Sequence, residues 1–158
     1  TMIESTMAEH NQTDNGVIEK YCYDNIDTNC TIYGGLYQWG EAMQYEKGGK
    51  GLCPENWHIP TTSDFESLGG SGNALKAIGQ GELAGAGTNS TGFSALLAGG
   101  RFYSDGSHYG LGVNALFWLS DEKDERLSWG IKTYATKDAI GYFTYDKNRG
   151  YSIRCVRN

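Results

Sequence analysis

The chain has little proline, two residues in 158, and only three histidines. Hydrophobic residues are also sparse at 39%, below the usual ~45–50%, although that benchmark counts glycine. No stretch approaches the ~18 consecutive apolar residues of a membrane-spanning helix. No basic-then-apolar leader opens the chain, and Thr1 is not an initiator residue, so a processed or trimmed chain is expected. Positive charge is short as well: 13 Lys and Arg against 19 Asp and Glu, a net charge of −6. That excludes the usual route to nucleic acid, where a basic face neutralises phosphates. The scattered His10, His58 and His108 give neither a zinc site of close Cys/His pairs nor a Ser-His-Asp constellation. No catalytic residue, metal or cofactor is expected.

What is present is glycine, rings and cysteine. Glycine, at 23 residues, is about twice its average share. Eleven Tyr, four Trp and five Phe partly offset the aliphatic deficit, since each large ring buries ~150–250 Å². A chain of 158 residues suits one compact domain rich in tight turns and ordered loops. Cysteine occurs four times, with no Cys-x-x-Cys pair. Two disulfides are the better reading, and they place the protein in an oxidising location: secreted, cell-surface or virion-displayed.

Residues 1–20 are polar and aperiodic and read as an extended N-terminal arm, with the domain proper over 21–158. The Asn- and Asp-rich stretch 21–30 suits a small loop pinned by its end cysteines. Leu36, Trp39 and Met43 share a face at helical spacing, so a helix is expected over 35–45. A second should start after Pro60, where Thr61 and Asp64 make a weak capping box and Phe65 and Leu68 point inward. Trp57, just before it, is of a type expected to be buried. Residues 93–97 look like a short buried strand. From 113 onward strands dominate: 115–119, 127–134, 140–145 and 151–156. Within 127–134, Trp129, Ile131 and Thr133 alternate with Ser128, Gly130, Lys132 and Tyr134.

Several motifs, in order, resemble one family. They include Tyr21-Cys22-Tyr23-Asp24-Asn25, Gly35-Leu36-Tyr37-Gln38-Trp39, Cys53-Pro54 with Trp57-His58-Ile59-Pro60, Gly92-Phe93-Ser94-Ala95-Leu96, Ser104-Asp105-Gly106-Ser107, Phe117-Trp118 and Ser152-Ile153-Arg154-Cys155-Val156. On these the chain is identified as a member of the Fibrobacter succinogenes major paralogous domain family, similar in fold to C-type lectins and to formylglycine-generating enzymes. The resemblance implies an α+β, C-type lectin-like fold: two helices with small twisted antiparallel sheets, paired N- and C-terminal strands, and disulfides Cys22–Cys30 and Cys53–Cys155. The chain departs from the family at Leu119, where Ser is usual, and at Gly100, where an aromatic is usual. The family usually carries a strand ending in Glu-Asn-Leu-Asn shortly before the position of Thr1, and the sequence does not show it.

A looser likeness is to variable proteins of diversity-generating retroelements, in which a C-terminal segment is mutated on an intact scaffold. The layout of 117–155 fits, with scaffold-type Trp118, Trp129, Gly150 and Cys155 among positions of mixed chemistry. The candidate contact residues are Leu119, Asp121, Gly130, Lys132, Tyr134, Tyr142, Phe143, Tyr145, Asp146, Asn148 and Arg149. Tyr, Trp and Arg are the residue types enriched in binding hot spots. The expected ligand is a protein or other macromolecule.

Competing sites are weaker. The chain has no Glu-Pro-Asn or Gln-Pro-Asp calcium motif. Asp121, Glu122, Asp124 and Glu125 sit with Lys123 and Arg126 in what reads as a solvated loop. The stretch 79–84 fits a dinucleotide fingerprint only formally, without the βαβ context. His58 reads as a hydrogen-bonded structural residue. Asn11, Asn29 and Asn89 open glycosylation sequons.

Overall fold

The structure, a computed structural model, describes residues 1–3, 11–46 and 48–158. A five-stranded sheet with the order β3-β2-β4-β5-β6 forms its centre. The strands are β2 (Ala98–Arg101), β3 (His108–Leu111), β4 (Asn114–Glu122), β5 (Leu127–Tyr134) and β6 (Ile140–Asp146). All neighbours run antiparallel except β2 and β4, which meet in parallel at Gly99 and Ala115. A two-stranded sheet pairs β1 (Trp57–His58) with β7 (Val156–Arg157). Helices are short: α1 (Asp27–Tyr33), α2 (Trp39–Ala42), α3 (Thr62–Leu68) and α4 (Gly72–Leu75).

β4 separates two apolar clusters. Successive side chains of a strand point to opposite faces, and Ala115 through Leu119 are all buried. Ala115, Phe117 and Leu119 join Phe65, Leu75, Phe93, Leu97 and Ile131 on one side. Leu116 and Trp118 join Trp39, Met43, Cys53, Ile59 and Tyr151 on the other. Two indole N–H groups stitch the second cluster. Trp118 Nε1 donates to the Tyr37 carbonyl and Trp39 Nε1 to that of Leu119, both at 2.8 Å. The Cys53–Cys155 disulfide closes this layer, and Cys22–Cys30 forms as the family resemblance implied. The stretch expected as a loop over 21–30 is instead a 3-10 turn, Tyr23–Asn25, followed by the first turn of α1, which carries Cys30.

Helix α3 forms where the capping box placed it. Asp64 N–H donates to Thr61 Oγ1 at 3.1 Å and Thr61 N–H returns to the Asp64 carboxylate at 2.9 Å. Phe65 then points into the core at 3% exposure, and Gly69, at φ 64°, ends the helix. Other expectations need correction. The helix expected over 35–45 shrinks to α2, although Leu36, Trp39 and Met43 are buried. The cause is competition for backbone groups: Leu36 pairs with Tyr21, and Tyr37 pairs with Tyr151. Residues 93–97 are no strand, since only Ala95 bridges to Lys76; the strand starts at Ala98. The expected strand over 151–156 is two bridges, at Tyr151 and Ser152, followed by β7. β7 pairs with Trp57–His58 and not with an N-terminal strand. Trp57 is therefore 39% exposed rather than buried.

Part of the N-terminal stretch lies against the domain. Met2 bridges Lys20, and buried Gln12 exchanges hydrogen bonds with Gln38, each amide oxygen accepting from the other's backbone N–H at 2.7–2.8 Å.

Candidate functional site

Antiparallel partners lie on the same face of a sheet. The β4–β5–β6 register therefore sorts the expected contact residues. Leu116, Trp118, Gly130, Lys132, Phe143 and Tyr145 share one face, with Tyr134 beside Lys132. Tyr142 pairs with Ile131 and lies on the other face, edge-on to Phe65 at 6.5 Å.

On the first face, Trp118 forms the floor and the rings build outward from it. Tyr145 meets Trp118 edge-on at 6.3 Å and Tyr151 at 4.9 Å. Phe143, 41% exposed, leans on Tyr145 at 5.9 Å and lies over Gly141, where a Cβ would be 2.1 Å from its ring. Tyr134 carries Lys132 Nζ at 5.0 Å and Lys137 Nζ at 4.1 Å from its ring centre. Across the sheet, Tyr109 stacks on Phe102 at 4.2 Å and its hydroxyl meets that of Tyr151 at 2.9 Å. Arg149 closes the rim. Its guanidinium carbon sits 4.9 Å from the Phe102 ring centre, and the Tyr109 and Tyr151 hydroxyls are its polar neighbours.

The electrostatics of this face are simple. Burial, with Tyr109 and Tyr134 nearby, holds the Tyr145 hydroxyl well above the usual tyrosine range, and burial does the same to Tyr151. These phenols are neutral, with protons to donate. Burial and then Lys137 push Lys132 below the ordinary lysine value.

The remaining expected residues go elsewhere. Leu119 is fully buried in the core and reaches no surface. Asp121 accepts the Thr62 N–H at 2.5 Å and so serves the first turn of α3. Gly130 is buried, and a Cβ there would lie 2.8 Å from the Phe117 carbonyl oxygen. Asp146, 9% exposed, pairs with Arg126 at 2.9 Å and accepts the Asn148 N–H at 3.1 Å. Asn148 is exposed in the following turn. The acidic loop is a turn with internal partners: Asp124 Oδ1 accepts from Arg126 and Leu127 N–H, and Glu122 binds Lys147 at 2.5 Å.

Phe102, Tyr109 and Lys137 belong to the face but were not among the expected residues. A signal for the first two existed. Asp105-Gly106 flanked by rings is a hairpin pattern, and it joins β2 to β3. A separate cleft of about 580 Å³ lies between Trp39, Tyr45, Glu122, Glu125 and Lys147. Lys147 Nζ sits 4.5 Å from the Trp39 ring centre and is held by Glu122, so this cleft's principal cation is already neutralised.

His58 is hydrogen-bonded as expected, to Asp64 at 3.0 Å and to Asn158 at 2.5 Å. Asn29 and Asn89 donate their side-chain amides internally, to the Tyr23 carbonyl and to Ser94 Oγ. No helix among the described residues is long and apolar enough to cross a membrane.

These features define a mixed helix-and-sheet domain, stapled by two disulfides, with an aromatic and cationic sheet face. The chain belongs to the Fibrobacter succinogenes major domain family, whose model matches residues 3–157. No curated protein and no solved structure matches it.

Proposed function

We propose that this domain is a ligand-binding display protein with a C-type lectin-like scaffold, the variable protein of a diversity-generating retroelement. Its C-terminal strands and turns, about 119–149, form the diversified surface. It binds a protein or other macromolecule from a secreted, cell-surface or virion-displayed position. One observation carries this reading. Lys132, Tyr134, Phe143, Tyr145 and Arg149 come from separate strands and turns yet share one sheet face, on a floor of buried Trp118 and Tyr151. Rings and Arg on a rigid support give large contact area at low entropy cost. Both disulfides lie outside 119–149, so that segment can change without touching a cysteine. They also fit an oxidising location. With all four cysteines bonded, no thiol is free for chemistry of the formylglycine-generating kind.

The test is genomic. The flanking DNA should hold a reverse transcriptase and a near-identical template repeat of the 3′ coding segment. Sibling copies should then differ at Lys132, Tyr134, Phe143 and Tyr145, and not at Trp118 or Cys155. Copies with differences spread evenly along the chain, and no such repeat, would instead mark a static cell-surface paralogue.

A further inference from the structure

Resting on that reading of the face, we propose that its Arg149 corner is a carboxylate subsite that receives an Asp or Glu side chain of a protein partner. Arg149 is half-buried and has no carboxylate contact among the described residues. Its neighbours are neutral: the Phe102 ring at 4.9 Å and the Tyr109 and Tyr151 hydroxyls. A guanidinium carries five N–H donors in a planar fork, and two phenol oxygens do not exhaust them. The fork matches the two oxygens of a carboxylate.

The nearest acidic side chains in sequence are already engaged: Asp146 pairs with Arg126, and Asp138 accepts the Asn73 N–H. Glu122 pairs with Lys147. Asp105, in the β2–β3 turn, accepts from Ser107. Lys132 and Lys137 add positive charge on the Tyr134 side of the same region. In a chain of net charge −6, this face thus collects cations that form no ion pair among the described residues. Phe102, Tyr109, Tyr134, Phe143 and Tyr145 around them are the ring types enriched at protein interfaces, which favours an acidic protein surface over a charged glycan.

The experiment is an NMR titration of the free protein, reading Tyr109 and Tyr145 ring and Arg149 side-chain signals. The probes are N-acetyl-aspartate amide, sodium sulfate and the methyl glycoside of sialic acid, at constant ionic strength. The aspartate probe should give saturable shifts at all three residues. Arg149→Gln should weaken it about tenfold or more, the loss expected for one charge-assisted hydrogen bond. Arg149→Lys, keeping charge without the fork, should fall between. No saturable shift in the wild-type protein overturns the subsite, whatever the variants' stability. Tighter binding of sulfate or the sialoside than of the aspartate probe overturns the protein partner. The titration succeeds or fails independently of whether 119–149 varies between copies.

Discussion

β4 and β6 lie one strand apart in the same sheet. From Ala115 to Leu119, β4 buries every side chain, alternately into one apolar cluster and the other. β6 is an edge strand, and at its middle Tyr142 and Phe143 are exposed on opposite faces. β5 mediates between them: it buries Ile131 and Gly130 and leaves Lys132 and Tyr134 half-exposed. Stability is therefore graded across the sheet, from a strand whose residues are fixed by packing on both sides to one whose residues contact neighbours on only one side. The proposed contact residues Phe143 and Tyr145 lie at the loose end, held up by the tight one.

The sharpest way to break this contrast is to remove the staple behind β4. Cys53–Cys155 spans 102 residues, so replacing both cysteines by Ala should cost up to ~4–5 kcal/mol in the chain-entropy account. Chemical denaturation measures it. Removing Cys22–Cys30, with a separation of 8, should cost less. Trp118→Ala should lose ~3–5 kcal/mol through the cavity left in the floor. Phe143→Ala, a comparable deletion on β6, should lose about 1 kcal/mol or less, as befits a surface site. Equal losses at the two positions would erase the distinction drawn between the strands.

Gly130 lies on the boundary. A serine there puts Cβ against the Phe117 carbonyl oxygen, so Gly130→Ser should cost ~1–3 kcal/mol by overpacking. By contrast, Asn148→Ser and Lys132→Gln should stay within about 0.5 kcal/mol. Thermal melts of this set place the line between the scaffold and the proposed display surface.

A smaller effect comes from pH. Burial, aided by Arg101 and opposed by Asp24, holds the His108 imidazole below its ordinary 6.5. The unfolded chain therefore takes up that proton more readily. The resulting stability is complete above about pH 6.5 and is lost as pH falls through the lowered folded value. His58, raised chiefly by its hydrogen bond to Asp64, acts in the opposite sense, and its contribution fades as pH rises past 6.5. His108→Asn should flatten the acid side of the melting curve and leave the neutral side unchanged.

Legibility followed the source of each signal. β5 was readable to the residue, because Leu127–Tyr134 alternates strictly and is bounded by polar turns. α3 was readable from its capping box. β2 was not. Ala98-Gly99-Gly100-Arg101 has no strand-forming side chains, and the segment is extended because β3 and β4 flank it. The helix expected over 35–45 had the right apolar spacing, but Tyr21 and Tyr151 captured the backbone of Leu36 and Tyr37. At the candidate site, Lys132, Tyr134, Phe143, Tyr145 and Arg149 were identifiable as ring- and cation-rich. Which of them face together was not, since a one-residue change of register exchanges the two faces.

The sequence by itself determined the family, the mixed composition of strands and helices, the capped helix and the three C-terminal strands. These follow from local periodicity and from motifs in a fixed order. Only the tertiary structure decided that Leu119 is core, that Asp121 serves a helix end, that Tyr142 looks away from Phe143, and that Phe102 and Tyr109 complete the face around Arg149. Those outcomes depend on which strands pair and in what register. Pairing brings together residues tens of positions apart, and that is information no local window contains.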